Sequence, residues 1–396
     1  MTIAPDAEQM RADAEQQMDS IIELAGALVR IPSRGGLDDY SPVVQELTHW
    51  LDDRGLDPQV LPGSVAVVCD VVGDRPGPHF VLDACLDTAD IGDAEAWSRD
   101  PYSGDVVDGW LHGRGSSDSK TGVAIFAHLV AALANRRDFA GRLTLLCDLD
   151  EHSGGFAGIR FYLSRLDRQP DGVMIGYPGN ERIIVGGRGF YRSRIAVHGH
   201  AQHSASAKQK ACNALSRAAE LIRWLDTAIS ADVDPDLGLP PKLTVTSIRG
   251  GTPGSYSVVP DLCELEVDVR LTPSFTARDA SELLRQGLKV LDTSSPSPRR
   301  SRYEQATESW PPFRLADEHP LPVAIREGAR AAGLRPQFAV AGPSNIGCLL
   351  AARGIPATAG FGVRYRGLHG ADEAIEVASI PQVYAAYWGA VRRLLG

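Results

Sequence analysis

His79-Phe80-Val81-Leu82-Asp83-Ala84, then Thr121 to Ala134, then Leu143-Thr144-Leu145-Leu146-Cys147 are the stretches that decide the fold of this 396-residue chain. The outer two read as short buried strands and the middle one as a helix. Strand, helix, strand is the βαβ rhythm of a parallel sheet covered by helices. A further strand is expected over Asp171-Gly172-Val173-Met174-Ile175-Gly176. Upstream, Ala7 to Arg30 carries helical spacing in Ile21, Ile22, Leu24 and Leu28, and Val43 to Arg54 places Leu47, Trp50 and Leu51 on one face.

The texture changes near Gly189. Tyr191 to Val197, Lys242 to Thr246 and Cys263 to Arg270 alternate as half-exposed strands, with helices expected over Asn213 to Ala228 and Ala277 to Leu291. The Ser/Pro/Arg-rich segment Thr293 to Arg302 has linker composition, after which Pro320 to Ala332, Gln337 to Ala341 and Ile346 to Arg353 return to the α/β rhythm. The fold class is therefore α/β, a mixed, mostly parallel sheet covered by helices. Residues 1–189 and 303–396 form a discontinuous catalytic domain, and residues 190–302 an inserted α+β lid.

An apolar fraction of 43% and a charged fraction of 23% are those of an ordinary globular protein. The net charge of −10 is spread over mixed acidic and basic residues, so the basic face a nucleic-acid binder needs is missing, and nucleic acid is not expected as a partner. Met1 to Gln17 lacks the basic-then-apolar pattern of a signal segment, and no apolar run is long enough to span a bilayer, so a cytoplasmic address is expected. The six cysteines stand singly, without Cys-x-x-Cys spacing, which argues against a disulfide framework or a structural zinc knuckle.

Three distant segments carry the makings of one metal site: Asp118 in Gly115-Ser116-Ser117-Asp118, His152 in Asp150-Glu151-His152, and His369 in Gly367-Leu368-His369-Gly370. One carboxylate and two imidazoles are a zinc set that leaves a coordination position open for water. Glu151 stands beside a ligand, where a general base would be wanted. The pattern points to metal-assisted hydrolysis.

In order along the chain, Cys85-Leu86-Asp87-Thr88, Trp110 to Lys120, Asp150-Glu151-His152, Gly176-Tyr177-Pro178, Gly199 to Ser204, Val267 to Arg270 and His369 to Glu373 resemble the motifs of the M20 metallopeptidases. That family includes acetylornithine deacetylase, succinyl-diaminopimelate desuccinylase, aminoacylase and glutamate carboxypeptidase. The resemblance implies an amide hydrolase, a deacylase or small-peptide peptidase, in which a metal activates water and Glu151 is general base and then general acid. It implies a homodimer formed through the lid, with His203 donating to the oxyanion and Arg270 gripping a substrate carboxylate. The substrate so implied is an N-acyl amino acid or short peptide, with no membrane partner.

Family members hold two metals, and here the two sites have diverged unequally. By position, the first site would use Cys85, Asp118 and Tyr177 in place of His, Asp and Glu; Asp87, among the catalytic residues the resemblance implies, matches a family residue that orients the first histidine and with Cys85 there would have no ring N–H to accept. The second would use Asp118, His152 and His369, still a sound zinc set. A phenol is a rare ligand, so a single zinc is expected, with two as the alternative. Ser257, Asn345 and Arg364 fall at pocket positions, Ser257 and Asn345 replacing a family Asn and Asp. Plainer readings stand beside these: a buried small side chain for Cys85, a pocket wall for Tyr177, and a salt bridge to Asp268 or Glu266 for Arg270. At the level of the whole chain, the rivals are a binding protein with a degenerate site and a biosynthetic enzyme forming or rearranging an amide bond.

Overall fold

The computed structural model describes residues 7–206 and 212–396. The reading of the N-terminal segment rests partly on residues 1–6, which lie outside them. The chain forms two compact units: Met1–Gly186 with Leu315–Ala339 and Asn345–Gly396, and Gly187–Arg314 with Val340–Ser344.

The first unit is built on a six-stranded sheet in the order Gln59–Val60, Ala66–Val72, Ala140–Asp148, Arg75–Cys85, Gly172–Ile175, Ala357–Thr358. Its last four strands run parallel and Ala66–Val72 is antiparallel to Ala140–Asp148. The helix Thr121–Ala134 connects the two central parallel neighbours by way of a loop, as a βαβ crossover requires. It buries Val123, Ile125, Phe126, Leu129, Val130 and Leu133, residues on every side of the helix, because sheet and helices enclose it. Gly122, at its first turn, has no room for a side chain: a Cβ there would lie 2.6 Å from the Gly176 carbonyl oxygen. Ala7–Arg30 and Ile380–Leu395 present Ile21, Leu24 and Leu28, and Val383, Tyr387 and Val391, to the same core.

A smaller antiparallel sheet, in the order Tyr365–Arg366, Ala374–Glu376, Trp110–His112, Val106–Val107, was not foreseen. Its strands are two or three residues long, too short to show a period. It pairs Ala374 with His112, which brings the segment carrying His369 beside the loop carrying Asp118.

The second unit is a four-stranded antiparallel sheet in the order Lys242–Gly250, Leu262–Leu271, Gly189–His198, Arg302–Gln305. The edge strand Arg302–Gln305 begins within the segment of linker composition. One face is covered by Ala214–Ala228 and Ala277–Ser294. The latter buries Ala280, Leu283, Leu284, Gly287, Leu288 and Leu291 at helical spacing and starts with a capping box between Thr276 and Asp279. No helix among the described residues is long and apolar enough to cross a membrane.

Candidate metal centre

Three neighbouring parallel strands end at one edge of the large sheet, where such sheets carry their sites. Arg75–Cys85 delivers Cys85 and Asp87, Ala140–Asp148 delivers Glu151 and His152, and Gly172–Ile175 delivers Tyr177. Asp118 arrives from the turn before Thr121–Ala134. That turn needs Gly115, whose φ is +85° and whose Cβ would lie 2.5 Å from Thr88 Cγ2.

The Asp118 turn is clasped by Glu373, a fully buried residue to which sequence reasoning gave no task. Its carboxylate accepts from the amides of Gly115 at 3.1 Å and Ser117 at 2.9 Å and from Ser117 Oγ at 2.7 Å, and it pairs with buried Arg114. Arg114 Nη2 also donates to the Gly370 carbonyl at 3.0 Å, next to His369. His369 holds a left-handed φ of +59° in a turn closed by the Gly370 amide on Gly367 O at 2.8 Å. A single buried ion pair thus fixes two of the three expected ligands.

Asp118, His152 and His369 do converge, each offering a ligand atom within 4.8 Å of the others. Asp118 Oδ2 lies 2.9 Å from His369 Nε2 and 3.6 Å from His152 Nε2. Two ligands of one tetrahedral zinc stand roughly 3.4 Å apart at bond lengths near 2.1 Å. Both ring nitrogens of His152 are buried without a well-formed hydrogen bond, the kind of orphaned polar atom that calls for a partner. A divalent metal fits that need. His369 is half exposed, so the approach from that side is open.

Asp87, without a ring N–H at position 85 to accept, faces His152. It accepts the amides of Glu151 at 3.3 Å and His152 at 2.9 Å, and its Oδ2 lies 3.3 Å from His152 Nδ1. It therefore orients His152 instead of a ligand at Cys85, the carboxylate–imidazole–metal arrangement common behind histidine ligands. Cys85, Asp87 and His152 form a second cluster of metal-ligating type, on the Nδ1 side of the same ring.

Burial pushes the Asp118 carboxyl up, but the His152 and His369 rings more than reverse this and hold it below the usual carboxylate range. Burial pushes His152 down, and the carboxylates of Asp118, Asp87 and Glu151 overcome it, raising the ring well above its ordinary value. Burial is the main cause that brings Glu151 up to about 7, with the negative charge of Asp118 adding to it and the His152 charge and Tyr177 hydroxyl opposing. A carboxylate near neutrality is suited to taking and returning a proton.

Tyr177 is in neither ligand cluster. Its hydroxyl donates to Glu151 Oε1 at 2.5 Å. Asn345 Oδ1 caps the helix Ile346–Ala352 through the Gly347 amide at 2.9 Å, and Arg364 pairs with Glu376 at 3.0 Å. In the second unit, Arg270 Nε lies 2.7 Å from Asp268 Oδ1 and its Nη1 donates to Ser344 at 3.0 Å, so the plainer salt-bridge reading has a geometric basis. His203 is exposed and its Nδ1 accepts the Ala205 amide, while Ser257 is exposed and its carbonyl accepts the Ser204 amide.

Residues 82–393 match the profile of Peptidase family M20/M25/M40. The chain belongs to this family. Membership makes it a hydrolase of amide bonds. Among its M20 relatives, the succinyl-diaminopimelate desuccinylase of Granulibacter bethesdensis is 32% identical over 278 residues, 68% of this chain and 70% of that one. That of Parvibaculum lavamentivorans is 27% identical over 380 residues, 92% and 93% of the two chains. A dipeptidase from Saccharomyces cerevisiae has the same fold with a TM-score of 0.78 at 14% identity, over 99% of each chain. A dinuclear metal binding M20 peptidase from Bacillus subtilis superposes with a TM-score of 0.70 at 16% identity, covering 96% of this chain and 100% of its own.

Proposed function

We propose that this M20 protein is a zinc-dependent deacylase or small-peptide peptidase that works with one zinc per chain. The observation that carries the reading is the convergence of Asp118, His152 and His369 on one point, with Glu151 adjacent and poised near neutrality. A zinc held by these three would polarise the scissile carbonyl and bring a water's pKa to about 7. Glu151 accepts that water's proton and returns it to the departing amine, so that the amine leaves neutral. Asp87 holds the His152 ring in place, and the Glu373–Arg114 pair holds Asp118 and His369.

The substrate class is an N-acyl amino acid or short peptide, supported by the desuccinylase relatives. Arg270 as the carboxylate grip, His203 as the oxyanion donor, Ser257, Asn345 and Arg364 as pocket residues, and assembly as a homodimer through the second unit rest on the resemblance to M20 enzymes. Metal analysis is the direct test. About one zinc per chain is expected, lost together with hydrolysis of N-acyl amino acids or dipeptides in His152→Ala. Retention of zinc and turnover in that variant would refute the assignment.

A further inference from the structure

The M20 fold commonly frames two metals, and the ligand positions of the first are here Cys85 and Tyr177. Both side chains point into the site as hydrogen-bond donors. The Cys85 thiol donates to Asp118 Oδ1 at 3.5 Å and lies 3.2 Å from Ser119 Oγ, which itself accepts the Cys85 amide at 3.0 Å. The Tyr177 hydroxyl donates to Glu151 Oε1 at 2.5 Å. One oxygen of Asp118, the residue shared by the two expected metal sites, and one of the base Glu151 are therefore each met by a proton on a neighbouring side chain.

We infer that Cys85 and Tyr177 replace the first metal with two hydrogen bonds, and that Tyr177 is a positioning residue that aims the general base Glu151. The inference rests on Glu151 being the base of the proposed reaction.

The chemistry of the donors supports it. A first metal at this place would need the phenol and the thiol to give up the very protons that now satisfy Glu151 and Asp118. A phenol, with an ordinary pKa of about 10, gives up its proton to a metal poorly, whereas as a neutral donor it already completes Glu151. The phenol also does something a buried wall would not. A carboxylate turns freely about its last torsion, and a short O–H···O bond on Oε1 fixes the plane of the group, leaving Oε2 toward the His152 side, 3.5 Å from Nδ1. With one oxygen committed to Tyr177, the other is the one available to take a proton. Here that orientation comes from the hydroxyl. The thiol has a parallel task on Asp118, since Oδ1 is turned to Cys85 while Oδ2 faces both histidines.

The test combines metal counting with kinetics. Zinc measured by equilibrium dialysis should give about one equivalent in the parent, in Tyr177→Phe and in Cys85→Ser. It should rise to about two in the double variant Cys85→His with Tyr177→Glu, which restores family ligands. In Tyr177→Phe, kcat should fall by roughly 10- to 100-fold, the usual size for losing such a supporting contact, while KM stays within about twofold. Tyr177→Glu alone, which loses the donor, should not recover kcat, whereas a fluorinated tyrosine at 177, which keeps the O–H, should. Two equivalents in the parent, one of them lost in Cys85→Ser or Tyr177→Phe, would overturn the inference. So would a Tyr177→Phe enzyme with unchanged kcat, or a folded double variant that still takes one zinc. A parent that hydrolyses none of the amides tried defeats the proposed reaction alone, because the metal counts still decide whether the two residues exclude a metal.

Discussion

The two halves of this centre differ in what supports them. The half formed by Asp118, His152 and His369 is braced from behind: Glu373 and Arg114 fix the Asp118 and His369 segments, and Asp87 stands against the His152 ring. The half at Cys85 and Tyr177 has its polar atoms turned inward, Cys85 giving its proton to Asp118 of the other half and Tyr177 giving its own to Glu151 between them. Identity at the ligand positions is thus a poorer guide than the direction in which protons are given. His152 departs from the family pattern as much as Tyr177 does. Its Nε2 still sits where a metal would take it up while its Nδ1 faces Asp87, whereas the Tyr177 hydroxyl is already satisfied.

The largest expected effect strikes the point where the halves meet. Glu151→Gln keeps the shape of the side chain and an oxygen for Tyr177 but cannot accept a proton. It should lower kcat by about 10³-fold, within the range for general acid–base groups, with zinc content unchanged. If turnover survives at the parent rate, the base lies elsewhere and the link between the halves has no catalytic meaning.

Next in size is a change that attacks the bracing. Glu373→Gln leaves buried Arg114 without a charge partner and weakens the bonds to the Gly115 and Ser117 amides. Loss of one member of a buried pair costs about 3 to 5 kcal/mol, to be read from chemical denaturation. A loss below about 1 kcal/mol would mean that the braced half does not depend on this clasp.

Why that clasp escaped the sequence reading is instructive. Glu373 is separated from its partners by more than two hundred residues, and Ala374–Glu376 and Trp110–His112, which align the two segments, are three-residue strands without a readable period. Long elements were readable. Thr121–Ala134 and Ala7–Arg30 occur over the expected residues, because a helix of several turns repeats its pattern often enough to be seen. Asp118, His152 and His369 were visible because their residue types are those of zinc ligands. The task of Asp87 was not, because a carboxylate that orients a ring is defined by which ring it faces, and only the geometry shows that His152, and not position 85, is that ring. Tyr177 as a donor was hidden for the same reason: its partner is 26 positions away, across the strand ends.

A third change measures that reassigned carboxylate. Asp87→Asn keeps an acceptor for one backbone amide but removes the charge that orients His152. Zinc affinity, followed by competition with a chelating dye, should drop by roughly 10- to 100-fold. Were Asp87 instead tied to position 85, affinity in Asp87→Asn and in Asp87→Asn with Cys85→Ser would differ; on the present geometry the second substitution adds little, because the Cys85 thiol is turned to Asp118 Oδ1 and Ser119 Oγ.

The smallest effect is expected at Cys85 itself. Its thiol is a weak donor, and the contact with Asp118 Oδ1 at 3.5 Å is long, so the bond contributes less than a typical hydrogen bond to a charged group. Serine keeps a donor but its shorter bond draws the proton back from Asp118, so Cys85→Ser should lose at most a few-fold in kcat and keep its zinc. Alanine leaves Asp118 Oδ1 without that donor and a small gap in a fully buried place, so it should cost more than serine in both kcat and thermal stability. The order parent, serine, alanine is what a donor role requires. A ligand role would give a different order, with serine and alanine equally poor and zinc lost in both, and that pattern would merge the two halves into one site.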